Sequence, residues 1–554
     1  MRARSRVAVF ALAALTLLVA ACVPQGAAAP TATTASAVVV TPSPAAAGLA
    51  GGSFRYGIGQ PTAITAPAAV TADDRAVVDA LYDSLTAWDD AGRALSSAAV
   101  SWSVDAEARR WTFTLRPGAA FHDGTPVTAA DFVRGWDLLA AEGGAGYLLQ
   151  DVAGYADVRR GETSSLAGVE AVGLRILDVT LTAPRADFAV VAGHPGLGPL
   201  HPDHDVDPVG HGQQPIGNGP FRMSEPWTGG DFIRASRWDG WLNGPRSADG
   251  IGEVVFRIAD LDINFLAFTQ GRRDFTAVPP EALDLAAEEF PVQGGTWDGP
   301  GLITGGRPEV YLLAINPAVV PYDDLRVRQA VSLVVDRPLI AEDNGGGNLS
   351  PATSLLPPAL PGVRTDVCDW CTFNPVGADN RLEAAGVTQL SLAFNAGGGH
   401  ERIRDEIRSA LSAIGVSLVS NERQLAPSLE DYQRRLAEGG VGLFRLPLSA
   451  DVPSSLSLLR PLLHPDQTPE QDGQNYLGYD DPTVTALLDQ AARTVDDQLR
   501  ERLVRRVEDI VVNRDVVAIP VVSYRHAMVA ASQVQGLRYG PFGLLNLTEL
   551  SLTP

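Results

Sequence analysis

LSLAFN, ERIRDEIRSALSAIG and VSLVS follow one another over residues 390–420, reading as a strand, an amphipathic helix and a second strand. Strands joined through a helix lie side by side and run parallel, so this order commits the region to an α/β architecture. The rest of the chain alternates in the same way. GGSFRYGIGQ (51–60) reads as a first strand, followed by a helix over Asp74–Leu85. EVVFRIAD (253–260), VYLLAIN (310–316) and VVAIPVVSY (516–524) read as further strands. Residues 323–343 and 482–514 each carry the spacing of one long amphipathic helix. No fixed-period repeat is present. A chain of 554 residues exceeds what one compact core holds, so two or three domains are expected.

Charge narrows the chemistry. The formal net charge is -22, and all 43 basic residues are arginine, since the sequence contains no lysine. That removes P-loop phosphate binding, Schiff-base catalysis and the Ser-x-x-Lys nucleophile, each of which needs the lysine amine. The acidic balance argues against nucleic acid as a partner.

Arg2, Arg4 and Arg6 precede the uncharged run VAVFALAALTLLVAA (7–21). Fifteen helical residues reach about 22 Å, short of a hydrocarbon core of about 30 Å, which fits a signal peptide better than a permanent span. Leu18-Val19-Ala20-Ala21-Cys22 resembles the bacterial lipoprotein signal box, in which the cysteine becomes the acylated mature N-terminus. An ordinary signal with an incidental cysteine is the plainer alternative. Residues 23–50 carry no charge, are rich in Ala, Pro and Thr, and read as a flexible tether spanning about 30 Å. Cys368 and Cys371 remain, as Cys-Asp-Trp-Cys, and outside the cytoplasm are expected to form a structural disulfide. A redox motif would want a thioredoxin-like unit around it, and a zinc site two further ligands.

FHDGTPVTAADFV (121–133) gathers His122, Asp123 and Asp131 with two threonines, as an active site might. Strand, turn and capped helix account for the same residues. Trp111, Phe113 and Leu115 alternate with Thr and Arg, the mark of a half-buried strand. Asp123-Gly124 makes a turn. Thr128 and Asp131 form a capping-box variant ahead of the apolar helical face Phe132, Val133, Trp136 and Leu139. His122 reads as a turn or packing residue.

The block WTFTLRPGAAFHDGTPVTAADFV resembles a signature of the extracytoplasmic solute-binding proteins of ABC transporters, peptide/nickel-binding family (family 5). The pieces that carry it are Leu115-Arg116, Phe121, Asp123 to Pro126 and Ala129 to Asp131. Four later blocks follow in family order: Asn218 to Phe221 with Trp238 and Trp241; Gly271 to Asp274 with Val278 to Pro280; Ile315-Asn316 to Pro321 with Arg326 to Ala330 and Asp336-Arg337; and Asn475-Tyr476 with Gly478-Tyr479 and Asp481-Pro482. The resemblance covers roughly residues 52–550. It implies a two-lobed, periplasmic-binding-protein-like fold of class II whose lobes hinge shut on a solute. Lobe I would use 52–92, 216–308 and 520–554; an extra subdomain on it 93–215; and lobe II 309–519.

It also implies a binder and no enzyme or cofactor: a monomer, lipid-anchored outside the cytoplasm, that captures a peptide or similar solute for an ABC permease. In peptide-binding members a peptide lies between the lobes as an added strand, and a buried aspartate holds its α-ammonium. That aspartate follows a lobe II strand, usually as Trp-x-x-Asp-Tyr-x-x-Pro. Here the place is taken by Asp451 in LFRLPLSADVP, with the tryptophan and tyrosine missing and the turn shorter. Ser449 and Arg445 are further candidates on that strand, and Thr71 and Asp73 on the lobe I loop that faces the cleft in the family.

Three other readings stay open at this level. HPGLGPLHPDHDVDPVGHG (194–212) holds four histidines with Asp203, Asp205 and Asp207, ligand types that suit nickel or a metal chelate, although as a surface loop it needs no metal. A protein of this family could sense a solute without importing it. A surface hydrolase would need a nucleophile elbow or His-Glu-x-x-His, and the sequence has neither.

Overall fold

The computed structural model describes residues 51–244, 246–293, 301–345, 347–419, 425–469 and 473–553. The signal segment, Cys22 and the tether lie outside the described residues. The described residues form one compact unit.

One ten-stranded sheet, counted among the described residues, runs through the whole body. Its lobe I part has Ser53–Ile58 at the middle, parallel to Glu253–Ile258 on one side and to Phe275–Ala277 on the other. The helix Leu261–Thr269 makes the crossover that a parallel pair requires. Beyond Phe275–Ala277 lie two long antiparallel strands, Gly301–Ile315 and Ala518–Ala530.

These two strands carry the chain between lobes. Gly301 to Gly306 pair with Arg525 to Ala530 in lobe I, and Val310 to Ala314 pair with Ala518 to Ser523 in lobe II. A register shift between Gly306 and Val310 separates the two halves. A Cβ on Gly306 would stand 2.7 Å from Pro358 Cβ, so the bend is built around a residue without one.

In lobe II the apolar run VYLLAI is buried on both faces, which is why it shows no alternation with polar residues. Val310, Leu312 and Ala314 enter one core with Phe444, Leu446 and Leu448. Tyr311, Leu313 and Ile315 enter another with Ile403, Ile407 and Leu411 from helix His400–Ala413. The strands flanking that helix do pair in parallel, as Gln389–Ser391 with Ser417–Val419 and Phe394–Asn395 with Leu425–Ala426. They form small two-stranded sheets of their own.

Both long helices expected from periodicity are broken. Residues 323–343 hold Leu325–Leu333 and the start of Arg337–Gly345, because Pro338 cannot continue a helix but fits the first turn of a new one, capped by Asp336. Residues 482–514 split into Pro482–Arg493 and Asp497–Asp509, where Asp496 accepts from the Leu499 amide at 2.7 Å, followed by a π-helical turn over Ile510–Arg514. Cys368 and Cys371 are disulfide-bonded.

The extra subdomain packs the antiparallel strands Ala99–Val104, Arg110–Leu115, Ile176–Thr180 and Val169–Val172 against helix Ala129–Glu142. Trp111, Phe113 and Leu115 point inward, at most 2% exposed. The Thr128 amide donates to Asp131 Oδ2 at 2.8 Å, closing the cap. His122 is a packing residue: it accepts from the Gly217 amide at 3.1 Å, lies 3.1 Å from the Gly219 carbonyl and meets Trp238 edge to face. Burial pushes its imidazole down to about 4.

Candidate functional site

A cavity of about 570 Å³ lies where the lobes and the extra subdomain meet. Its size suits a small solute. Lobe I contributes Tyr56, Asp73, Arg75 and Asn264, and the extra subdomain contributes His194. The crossover strands add Arg307, Glu309, Arg525 and His526, and lobe II adds Ser449 to Asp451.

The lobe II wall is an open strand edge. Leu443–Ser449 pairs with Gly301–Ile315, and Asn316 donates to Gly442 O and Ala450 to Pro308 O, each at 2.8 Å. In an antiparallel ladder only alternate residues bond to a given neighbour. Gly442 and Ala450 fix the even-numbered ones, so Arg445, Pro447 and Ser449 turn their backbone groups to the other edge. Arg445 meets Ala393 O there at 2.9 Å. Ser449, two steps on, is exposed, lines the cavity and has no backbone partner on that edge among the described residues.

Four carboxylates line the cavity, Asp73, Asp260, Glu309 and Asp451. Asp73, in the first turn of helix Ala72–Leu81, accepts from the Gly59 amide at 2.9 Å. Burial and the Asp74 charge push its carboxyl up, against the Gly59 bond. Asp451 accepts from the Tyr147 hydroxyl, and its Oδ1 lies 3.9 Å from Arg75 Nη1. Of the arginines, Arg307 is paired with Glu309 at 2.9 Å, while the Arg525 guanidinium reaches Thr304 Oγ1 at 3.3 Å and, among the described residues, no carboxylate. Burial pushes His194 and His526 down to about 4, so both are neutral at physiological pH. His526 stacks edge to face on Tyr539 at 4.9 Å, and Trp88 meets Phe542 at 5.3 Å, giving the cavity an aromatic wall.

Of the residues singled out in the sequence, Asp451, Ser449 and Asp73 reach this cavity. Thr71 and Arg445 do not line it. Thr71 is spent as the cap of helix Ala72–Leu81, its hydroxyl accepting from the Asp74 amide at 3.0 Å. Arg445 is buried in lobe II, bonded to Asn395 Oδ1 at 2.7 Å with its guanidinium over the Tyr311 ring. The histidine-rich stretch divides: His194 goes to the cavity, while His201, His204 and His211 cluster elsewhere on the subdomain with ring centroids 5.5–6.4 Å apart. No group of three or more His, Cys, Asp or Glu side chains able to hold a metal occurs among the described residues. Arg75, Tyr147, Arg525 and Tyr539 were not foreseen. Each comes from a separate segment, and no spacing signal links them.

A cavity between two lobes, with paired strands crossing between them, defines a two-lobed binding protein for a small solute. The sequence profile for "Bacterial extracellular solute-binding proteins, family 5 Middle" matches residues 96–470. The chain belongs to this family of ABC-transporter solute-binding proteins. It is 25% identical over 477 residues to the dipeptide-binding protein DppE of Bacillus subtilis, covering 81% of this chain and 82% of that one. Against the periplasmic oligopeptide-binding protein OppA of Escherichia coli it is 25% identical over 481 residues, covering 82% and 84%. The solved structure of HbpA2 from Haemophilus parasuis superposes with a TM-score of 0.77 at 21% identity, over 91% of this chain and 100% of that one, a likeness of fold. No helix among the described residues is long and apolar enough to cross a membrane.

Proposed function

We propose that the protein captures a short peptide, or a solute with a comparable backbone, between its lobes and delivers it unaltered to the permease of an ABC transporter. It works as a monomer outside the cytoplasm, anchored through an acylated Cys22. The observation that carries this reading is the open strand edge at Ser449. A peptide laid along it satisfies backbone groups that every peptide shares, so binding tolerates varied side chains. A cavity carboxylate, Asp73 or Asp451, takes the ligand's ammonium, Arg525 supplies a cation for its carboxylate, and the aromatic wall takes its apolar side chains. The relatives named for dipeptides and oligopeptides support the same ligand class. No bond is made or broken.

A thermal-shift screen with a library of di- to nonapeptides tests this. Stabilisation by several unrelated sequences is expected, with each ligand recovered intact by mass spectrometry. A library with no stabilising member would remove peptides as the ligand class.

A further inference from the structure

Four carboxylates line the cavity. Glu309 is paired with Arg307, and Asp260 is solvent-exposed at the start of helix Leu261–Thr269, which leaves Asp73 and Asp451, and these differ in what already holds them. Asp73 has its Gly59 bond and, among the described residues, no cation within ion-pair distance; the charge that acts on it most is the neighbouring Asp74. Asp451 is committed twice, to Tyr147 and to Arg75. Those partners belong to different bodies: Arg75 to lobe I, Tyr147 to the extra subdomain, and Asp451 itself to lobe II.

Asp451 also stands at one end of a polar seam between lobe II and the extra subdomain. Asp187, 1% exposed, accepts from the Ser454 hydroxyl and from the Ser457 hydroxyl at 2.5 Å. Arg185 donates to Ser457 Oγ at 3.2 Å, and the Ala186 amide donates to Ala492 O at 2.8 Å. A second cavity of about 70 Å³ lies beside this seam, sharing Ser449 to Asp451 with the first. Moving lobe II away from the subdomain would break these bonds and leave Asp187 to Arg185, 3.7 Å away, and to water, so the seam favours the docked arrangement by the net worth of the bonds lost.

A compensated carboxylate gains little from a second cation and would have to give up bonds to receive it. A desolvated carboxylate with no cation gains most. We propose that Asp73 on lobe I takes the solute's ammonium, while Asp451 ties lobe II to lobe I and the extra subdomain and so sets the equilibrium between docked and parted lobes. This rests on the peptide reading above.

The test pairs calorimetry with scattering. One stabilising peptide is titrated with its amino terminus free and N-acetylated, and the ligand-free proteins are compared by small-angle scattering. Asn at position 73 keeps the oxygen that accepts from Gly59. Wild type should prefer the free amine by tenfold or more, and Asp73→Asn should erase the preference. Asp451→Asn should keep that preference, weaken both forms by the same factor, and enlarge the ligand-free radius of gyration; Tyr147→Phe should do the same to a smaller degree. The proposal is overturned if Asp451→Asn erases the preference, if Asp73→Asn keeps it, if wild type shows none, or if Asp451→Asn leaves the ligand-free scattering unchanged. Should no peptide bind wild type, the peptide reading falls and carries the Asp73 assignment with it, while the scattering of ligand-free Asp451→Asn still decides the seam.

Discussion

The block 111–139 and the segment 443–457 hold similar residue types and use them in opposite ways. In the first, polar groups are satisfied nearby or by a fixed neighbour: Asp123 by Thr125, Asp131 by Thr128 and Arg134, His122 by Gly217 and Gly219. In the second they face a cavity or cross between bodies: Ser449 to the open edge, Asp451 to Tyr147 and Arg75, Ser454 and Ser457 to Asp187. Local closure holds a subdomain together. Partners on separate bodies make a part whose energy changes when the bodies move. Substitutions in the first region should therefore move stability and leave binding alone, and those at Ser449 and Asp451 in the second should do the reverse.

The largest effect is expected at Trp136, fully buried in the subdomain core. Trp136→Ala should cost about 3–5 kcal/mol in urea unfolding, with peptide affinity of the folded fraction unchanged. A variant that lost affinity at full stability would break the contrast. Acidification should come next. Burial holds His122, a scaffold residue, and His194, a cavity residue, down at about 4, against an ordinary 6.5. The unfolded chain binds more protons than the folded one between those values, so stability is full above pH 6.5 and falls as pH drops toward 4. Protonation of each imidazole costs on the order of 3 kcal/mol of stability, and His122→Asn should flatten the pH profile of Tm.

Smaller changes sharpen the comparison. Ser449→Pro removes one amide from the outward edge, where proline is tolerated. It should weaken peptide binding about fivefold, near 1 kcal/mol, with no shift in Tm; an unchanged affinity would mean that the edge is not used. Thr128→Ala should lower stability by about 1 kcal/mol through the lost cap, and calorimetry should find binding as before.

Much of the fold was legible because it is written in local patterns. The alternation of Trp111, Phe113 and Leu115 and the helical spacing of Ile403, Ile407 and Leu411 each mark a buried face. The strand–helix–strand order at 390–420 gave the parallel pairing. The two overlong helices show the limit of that signal: apolar periodicity ran on through Asp336-Arg337-Pro338 and through Asp496, where capping and proline chemistry end one helix and start another. The site was legible in part. Ser449 and Asp451 sit at the end of a strand; alternation puts Arg445 on the same edge as Ser449, and only the neighbouring segment at Ala393 and Asn395, which covers the edge at Arg445, separates their fates. Asp73 and Thr71 stand two residues apart, one facing the cavity and one capping a helix, a difference that only the helix start sets. Arg75, Tyr147 and Arg525 meet Asp451 or the cavity through tertiary packing of distant segments, which no window of sequence contains.

The proposed function requires lobes that swing shut over a bound guest and release it whole. Small-angle scattering of the wild-type protein, alone and saturated with a stabilising peptide, tests that most directly. A smaller radius of gyration with peptide, reversed on dialysis with the peptide recovered intact, is the predicted result. An identical curve at full occupancy, or a cleaved peptide, would contradict it.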